Sequence, residues 1–277
     1  MESELHMHEN IRLVIAAFLL AAGASARADS VARTELERLQ FALSHFDPSD
    51  MSAPSITLTA PSSTIEIRIG ENYASQGGDP LHTVSRPGLL VPFSSLVSGV
   101  SAYGFGTLDS DPSNPGNTMA SNAYAGWRDG GLRPYSYVKS GVSTAFVLSP
   151  DTRLEITAYT NVGGVLSGDS GDATSIAGLE VFSADADGEP LDRVASQFST
   201  VQFSGHDRLG GYAQFFTIDF DNTGTQAIHG YFDGYALSTV DSAPPGLVPI
   251  PEPANVLLLL ASLGVFRAMR VGRCQHH

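Results

Sequence analysis

The stretch SADADGEPLD places Asp185, Asp187, Glu189 and Asp192 close together, and carboxylate oxygens at that density suit a hard cation such as calcium. The longer pattern and closing glutamate of an EF-hand are absent, so the stretch reads first as a solvated hairpin turn. No cofactor is expected, with calcium as the alternative. A second stretch, YAGWRDGGLRPYSY, gathers Tyr124, the sole tryptophan Trp127, Tyr135 and Tyr137 near Arg128 and Arg133. Exposed rings stack on sugars, which makes Tyr124, Trp127 and Tyr135 a candidate ligand face. The competing reading has Trp127 and Tyr135 plug the end of a core.

Nucleophilic catalysis has one foothold. Gly168-Asp169-Ser170-Gly171 resembles the nucleophile loop of trypsin-like serine proteases, where the serine needs a histidine base and oxyanion donors. Asp172 stands where that family has glycine, and none of His45, His82, His206 or His229 sits in its histidine motif. A polar hairpin loop fits these residues better, and His206, beside Asp207, and the isolated His229 read as surface or strand residues rather than ligands. A glycosidase needs two carboxylates facing each other across a cleft; the acids between Asp29 and Ile250 are too many for sequence spacing to select a pair. No catalytic residue is assigned.

The elements that must position these residues are strands. In GYAQFFTIDFDN, Tyr212, Gln214, Phe216, Ile218 and Phe220 share one face, while Ala213, Phe215, Thr217, Asp219 and Asp221 share the other. Similar runs occur in SITLTA, STIEIRIG, RLEITAYT, AGLEVFSA, VASQFSTVQFS and IHGYFDGYALSTV. Turn chemistry at Ser149-Pro150-Asp151, Asp187-Gly188 and Asn222-Thr223-Gly224 separates them. RTELERLQFALSHFD is ambiguous: Leu36, Leu39, Leu43 and Phe46 fit a helical face, and Leu39, Phe41 and Leu43 fit a strand. A strand is preferred, because it leaves no lone helix to pack. SQGGDPLH, DSDPSNPGN and RDGGLRP read as surface loops between short strands. The pattern predicts an all-β fold, an antiparallel β-sandwich of jelly-roll-like type, over residues 29–240.

Both ends carry other signals. Arg12 and the apolar run Leu13 to Ala24 precede Ala26-Arg27-Ala28, with small residues at the two positions a signal peptidase reads. This predicts a signal peptide over residues 1–28, an N-terminal signal helix cut between Ala28 and Asp29 after use of the Sec machinery. Glu2, Glu4 and Glu9 are unusual there, and a start at Met7 would remove two of them. Residues 241–250 form a proline-rich linker, semi-rigid because proline fixes φ and lacks an N–H. From Ala254 to Phe266 the chain is uncharged, and through Val271 it reaches the length of a marginal membrane span, with Arg267 and Arg270 able to snorkel. The arginines after it place the C-terminus in the cytoplasm and the acidic domain outside, the topology a signal peptide requires.

Pro251-Glu252-Pro253, the apolar run Ala254 to Phe266, and Arg267, Arg270 and Arg273 together resemble the PEP-CTERM sorting signal of Gram-negative bacteria. That resemblance covers residues 251–273, followed by the tail 274–277. It implies recognition by an exosortase at Pro251-Glu252-Pro253, a C-terminal transmembrane helix that parks the precursor in the inner membrane, and a link to exopolysaccharide and the cell surface. The arginines are spaced by Ala268-Met269 and Val271-Gly272, a departure from the family's tight cluster. The segments FALSHFDPSDMSAPSITLTA and TAFVLSPDTRLEITAYT also resemble recurring strands of other bearers of the signal.

Composition limits the partners. The chain has 29 acidic and 15 basic residues, a formal net charge of −14, and Lys139 is its only lysine. Such a surface repels nucleic acid and anionic membranes. The sole cysteine, Cys274, lies beyond the apolar run, so the 29–240 region has no thiol for a disulfide or a thiolate metal site. The sequence thus describes an exported surface or matrix protein, structural or binding in role, with a secreted polysaccharide hydrolase as the alternative. The hydrolase requires converging carboxylates or a Ser/His pair in a deep cleft, whereas the binding protein requires a shallow face with satisfied acids.

Overall fold

The computed structural model describes residues 29–46, 53–72, 79–109, 118–126, 133–167, 171–205 and 208–242. The sorting motif Pro251-Glu252-Pro253, the arginines 267, 270 and 273, Ala26, Ala28, Trp127, Ser170 and His206 lie outside the described residues. So do both apolar end segments; among the described residues no helix is long and apolar enough to cross a membrane. All the described residues belong to one compact unit, Ala28–Pro244.

The described residues form twelve strands: β1 (Asp29–His45), β2 (Ile56–Gly70), β3 (His82–Pro87), β4 (Phe93–Ser98), β5 (Ala102–Asp109), β6 (Thr118–Gly126), β7 (Tyr135–Leu148), β8 (Thr152–Leu166), β9 (Gly171–Ala184), β10 (Pro190–Ser204), β11 (Arg208–Asn222) and β12 (Ile228–Ser242). They build two six-stranded sheets, in the orders β11-β8-β1-β6-β5-β4 and β10-β9-β12-β7-β2-β3. Every pairing is antiparallel. The fold is therefore an all-β sandwich, as the alternating pattern predicts.

Alternation decides which side chains fill it. Leu36, Met119, Leu154, Ile156 and Phe216 point inward from the first sheet and Ile65, Val138, Phe146, Leu179 and Phe232 from the second, forming one continuous core. Across the gap, Phe41 meets Phe232 edge to face at 5.3 Å, and Phe146 meets Phe220 at 5.2 Å. Each such aromatic pair adds roughly 0.5–1.5 kcal/mol beyond its burial.

The centre of the sandwich also contains hydroxyls. Ser238 on β12 is fully buried; its hydroxyl lies 2.9 Å from Ser121 Oγ and donates to Thr34 Oγ1 or the Ser121 carbonyl. Thr34 Oγ1 donates to the Leu237 carbonyl at 2.7 Å, Ser140 Oγ to the Ala120 carbonyl at 2.8 Å, and Ser175 Oγ to the Gly163 carbonyl at 2.7 Å. These bonds run from sheet to sheet, so they fix how the layers sit on each other as well as satisfying buried polar atoms.

The ambiguous opening segment is a strand, and its ambiguity has a cause. The register of β1 against β8 shifts between Glu37 and Gln40, with Arg38 at φ 56°. This bulge inserts a residue, so buried positions jump from Leu36 to Leu39 before resuming period two through Phe41 and Leu43. A three-residue step inside a strand imitates a helical face. SITLTA and STIEIRIG, read as separate runs, are one strand, β2, broken by a register shift between Thr59 and Ser62. The three turns hold: Asp151 and Gly188 adopt positive φ, and Asn222 Oδ1 accepts the Gly224 N–H at 3.1 Å.

Candidate ligand-binding face

The outer face of the second sheet is formed by the residues that alternate away from the core. On β12 these are Tyr231, Asp233 and Tyr235; on β7, Tyr137, Lys139, Gly141 and Ser143; on β2, Thr64, Glu66 and Arg68; on β9, Glu180 and Phe182. Register then brings distant residues together. One rung runs Phe198, Gly178, Tyr235, Gly141 and Thr64 from β10 to β2. Others pair Glu66 with Lys139, Asp233 with Glu180, and Tyr231 with Phe182.

The two glycines shape this rung. A Cβ on Gly178 would come within 2.7 Å of Tyr235 Cζ, so the ring leans across the backbone that the missing side chain leaves open. On its other side Gly141 forms the floor beneath Lys139, whose Cε would lie 3.8 Å from a Cβ there. Beside this rung lies an open cleft of about 200 Å³, lined by Thr64, Glu66, Lys139, Gly141, Ser143, Tyr231 and Asp233.

The polar groups of the cleft are coupled. Lys139 Nζ lies 3.9 Å from Asp233 Oδ2 and 4.7 Å above the centre of the Tyr235 ring. Tyr137 donates to Glu66 Oε2 at 3.4 Å, and Arg193 Nη1 donates to Glu180 Oε1 at 2.9 Å. Burial raises the Asp233 carboxyl above its ordinary range; Lys139 opposes the shift, and Glu180 and Glu66 add to it. Burial, then Glu66, pushes the Tyr137 phenol up to about 12. Burial, then Glu180 and Asp233, does the same for Tyr235, also to about 12. Both tyrosines are thus neutral hydrogen-bond donors at physiological pH. Tyr231 meets Phe182 edge to face at 6.3 Å. The face combines aromatic rings, carboxylate acceptors and a single amine, with Asp233 matched by Lys139, Glu180 by Arg193, and Glu66 bonded by the Tyr137 hydroxyl.

The aromatic residues singled out in the sequence are not brought together. Tyr124, on β6, faces outward from the other sheet, where its ring stacks on Tyr103 at 4.8 Å and its hydroxyl donates to Asp29 Oδ1 at 3.0 Å. Tyr135 is 2% exposed and its hydroxyl donates to Asp79 Oδ2 at 2.6 Å, so its ring is buried rather than offered to a ligand. Burial and the Asp79 carboxylate raise its phenol far above the ordinary range. Arg133 bridges Asp241 at 2.8 Å and Asp172 at 3.3 Å, tying the residues just before β7 to β12 and β9.

The acidic turn is a turn. Asp185 Oδ1 accepts the N–H groups of Asp187 and Glu189 at 3.0 and 2.9 Å, and the Glu189 carbonyl accepts the Asp185 N–H at 3.1 Å. Its oxygens thereby organise the backbone between β9 and β10. Among the described residues no group of three or more His, Cys, Asp or Glu is arranged to hold a metal ion. His45 Nδ1 lies 3.7 Å from Asp151, His82 opens β3, and His229 is half-buried on β12. Gly171, the last residue of the serine loop, begins β9.

Sequence reasoning missed the face just described, although it noted IHGYFDGYALSTV as a strand and Lys139 as the only lysine. The usable signal was Tyr231, Asp233 and Tyr235 alternating on the solvent side of that strand.

No protein-family model matches the chain. No curated protein matches it either. Among solved structures, one of carbohydrate-binding modules "from the beta-sandwich super family" is 10% identical, with 77% of this chain and 98% of that chain covered at a TM-score of 0.10, a superposition too poor to carry a likeness of fold.

Proposed function

We propose that the protein is an exported surface or matrix component whose sandwich, wound in jelly-roll-like fashion, binds polysaccharide on the outer face of its second sheet. The observation that carries this reading is the rung Phe198, Gly178, Tyr235 and Gly141 beside Lys139, Glu66 and Asp233. Sugar rings present C–H faces that pack on aromatic rings and hydroxyls that donate to carboxylates, and this face offers both in an open groove. Lys139 offsets Asp233 and Arg193 offsets Glu180, while Glu66 keeps its charge, so the face suits an uncharged polyhydroxyl ligand better than an acidic one.

Export rests on the sequence. Cleavage between Ala28 and Asp29 would leave the sandwich whole, because β1 starts at Asp29. At the other end β12 runs to Ser242, so Pro251-Glu252-Pro253 would be presented on the proline-rich segment beyond it. In this account an exosortase recognises that tripeptide while the apolar run holds the precursor in the inner membrane, and the sandwich reaches the cell surface or exopolysaccharide.

Two experiments test the two halves. Replacing Pro251-Glu252-Pro253 by alanines in a host with and without its exosortase, and measuring C-terminal mass and surface release, tests sorting; unchanged release removes it. A glycan array probed with wild type and with Tyr235→Ala tests binding: the wild type is expected to select neutral polysaccharides and the variant to lose them. The alternative, a polysaccharide hydrolase, takes support from the raised Asp233 with Glu180 and Glu66 beside it. It requires release of reducing ends that Asp233→Asn abolishes, whereas the binding reading expects no release from either.

A further inference from the structure

The free edge of β11 differs from the other edges of the sandwich. Exposed edges are usually blunted by proline, charge, bulges or short length. β3 ends in Arg86-Pro87, β4 is only six residues long, and β10 has register shifts between Pro190 and Ala195. β11 pairs with β8 in unbroken register from Arg208 to Asn222 and carries no charge or proline from Leu209 to Ile218. Leu209 is 81% and Phe215 67% exposed, with only Gly211 and Ala213 between them on that face. Tyr159 meets Phe215 edge to face at 5.1 Å and holds the ring at the margin of the sheet.

The backbone of this edge is also oriented for pairing. The Thr217 N–H donates to Gln197 Oε1 at 2.9 Å, across from the other sheet, which shows that it points away from β8. In an antiparallel ladder alternate residues share that direction. Leu209, Gly211, Ala213 and Phe215 therefore turn their N–H and C=O groups to the open edge.

Charge selects the occupant. Arg208 stands at one end of the neutral run, and Asp219 and Asp221 at the other. Laid antiparallel, two copies put Arg208 of one at the same end as Asp219 and Asp221 of the other, though on the opposite face and with Asp221 also held by Arg153 at 3.0 Å, whereas a parallel arrangement sets like charges directly opposite. We propose that a second copy of this chain docks on the β11 edge in antiparallel register, forming a two-fold dimer in which the first sheet continues through both copies. Opposed residues of an antiparallel ladder share a face, so the two-fold axis passes through a residue; with Phe215 opposite Phe215, Leu209 stands opposite Asp221 and Gly211 opposite Asp219. The contact is self-complementary and closes at two. The pairing does not depend on the polysaccharide reading; if both hold, the dimer presents two binding faces to one polymer and gains avidity.

Sedimentation velocity of the full chain tests the stoichiometry, and cross-linking tests the position. The wild type is expected to sediment as a dimer, and Phe215→Lys and Leu209→Lys as monomers with unchanged circular dichroism, because both side chains are already exposed. In a Cys274→Ser background, Phe215→Cys is expected to give a covalent dimer on mild oxidation and Leu96→Cys, on the opposite rim, none. A monomeric wild type, an open-ended polymer, a Phe215→Lys variant as dimeric as wild type, or a Phe215→Cys variant that stays uncross-linked each overturns the proposal. Association through the apolar ends of the chain would appear as the last two results together.

Discussion

The substitution Gly178→Ala probes the ligand face without removing any group from it. The added Cβ would lie 2.7 Å from Tyr235 Cζ, about 0.7 Å inside the 3.4 Å at which ordinary contact begins, so the ring must lift or tilt by that amount. A displacement of about 0.5–1 Å forfeits a quarter to a half of a dispersion contact. A well-buried aromatic anchor contributes roughly 2 kcal/mol to binding, so the loss is about 0.5–1 kcal/mol, or a two- to fivefold weaker Kd. The assay is titration calorimetry with the polysaccharide that the array selects, on wild type, Gly178→Ala, Tyr235→Ala and the double variant. Because the methyl acts through the Tyr235 ring, Gly178→Ala is expected to be silent for affinity once that ring is gone. An equal loss in both backgrounds, or full affinity in Tyr235→Ala, refutes the assignment of Tyr235 as the stacking ring.

The remaining predictions concern stability and pH. Burial raises the Asp233 carboxyl, so the native state holds that proton more tightly than the unfolded chain. The associated stability is intact below the unfolded carboxylate value and is lost as pH rises from about 4 toward the folded value. Melting curves from pH 3 to pH 7 are therefore expected to show Asp233→Asn gaining on wild type as pH rises; a constant difference contradicts the buried-carboxyl argument. Ser238→Ala removes a fully buried hydroxyl that joins the two sheets and is expected to cost about 1–2 kcal/mol in denaturant unfolding, while an exposed serine such as Ser196 costs nothing measurable. Arg133→Ala leaves the 1% exposed Asp241 beside Asp172, a loss of roughly 2 kcal/mol, and Asp241→Asn in that background is expected to restore part of it in the same unfolding assay.

The strands were legible because one face of each is buried: Phe216, Ile218 and Phe220 lie inside and Phe215, Thr217 and Asp219 outside, as alternation requires. The turns were legible because Asp-Gly and Asn-Thr-Gly have specific backbone chemistry. β1 was nearly misread because a bulge at Arg38 mimics helical spacing, and a bulge is set by pairing with β8 rather than by local sequence. The ligand face was not legible for the same reason at larger scale. Glu66, Lys139, Glu180 and Asp233 come from four strands, and only the order β9-β12-β7-β2 makes them neighbours. Local clustering pointed to Tyr124 and Tyr135 instead, and the chain sends those two to different sheets.

Lys139 allows the most direct test, because it is the only lysine in the chain and lines the proposed groove. Its side chain is 32% exposed, so an amine-reactive acylating reagent reaches it in the free protein. Peptide mass spectrometry can then report the extent of acylation at this single position with and without the saturating polysaccharide. Bound polysaccharide is expected to protect Lys139 several-fold while leaving the chain's α-amine unaffected. Polysaccharide binding with Lys139 acylated at its unprotected rate would contradict it, placing the ligand elsewhere on the molecule.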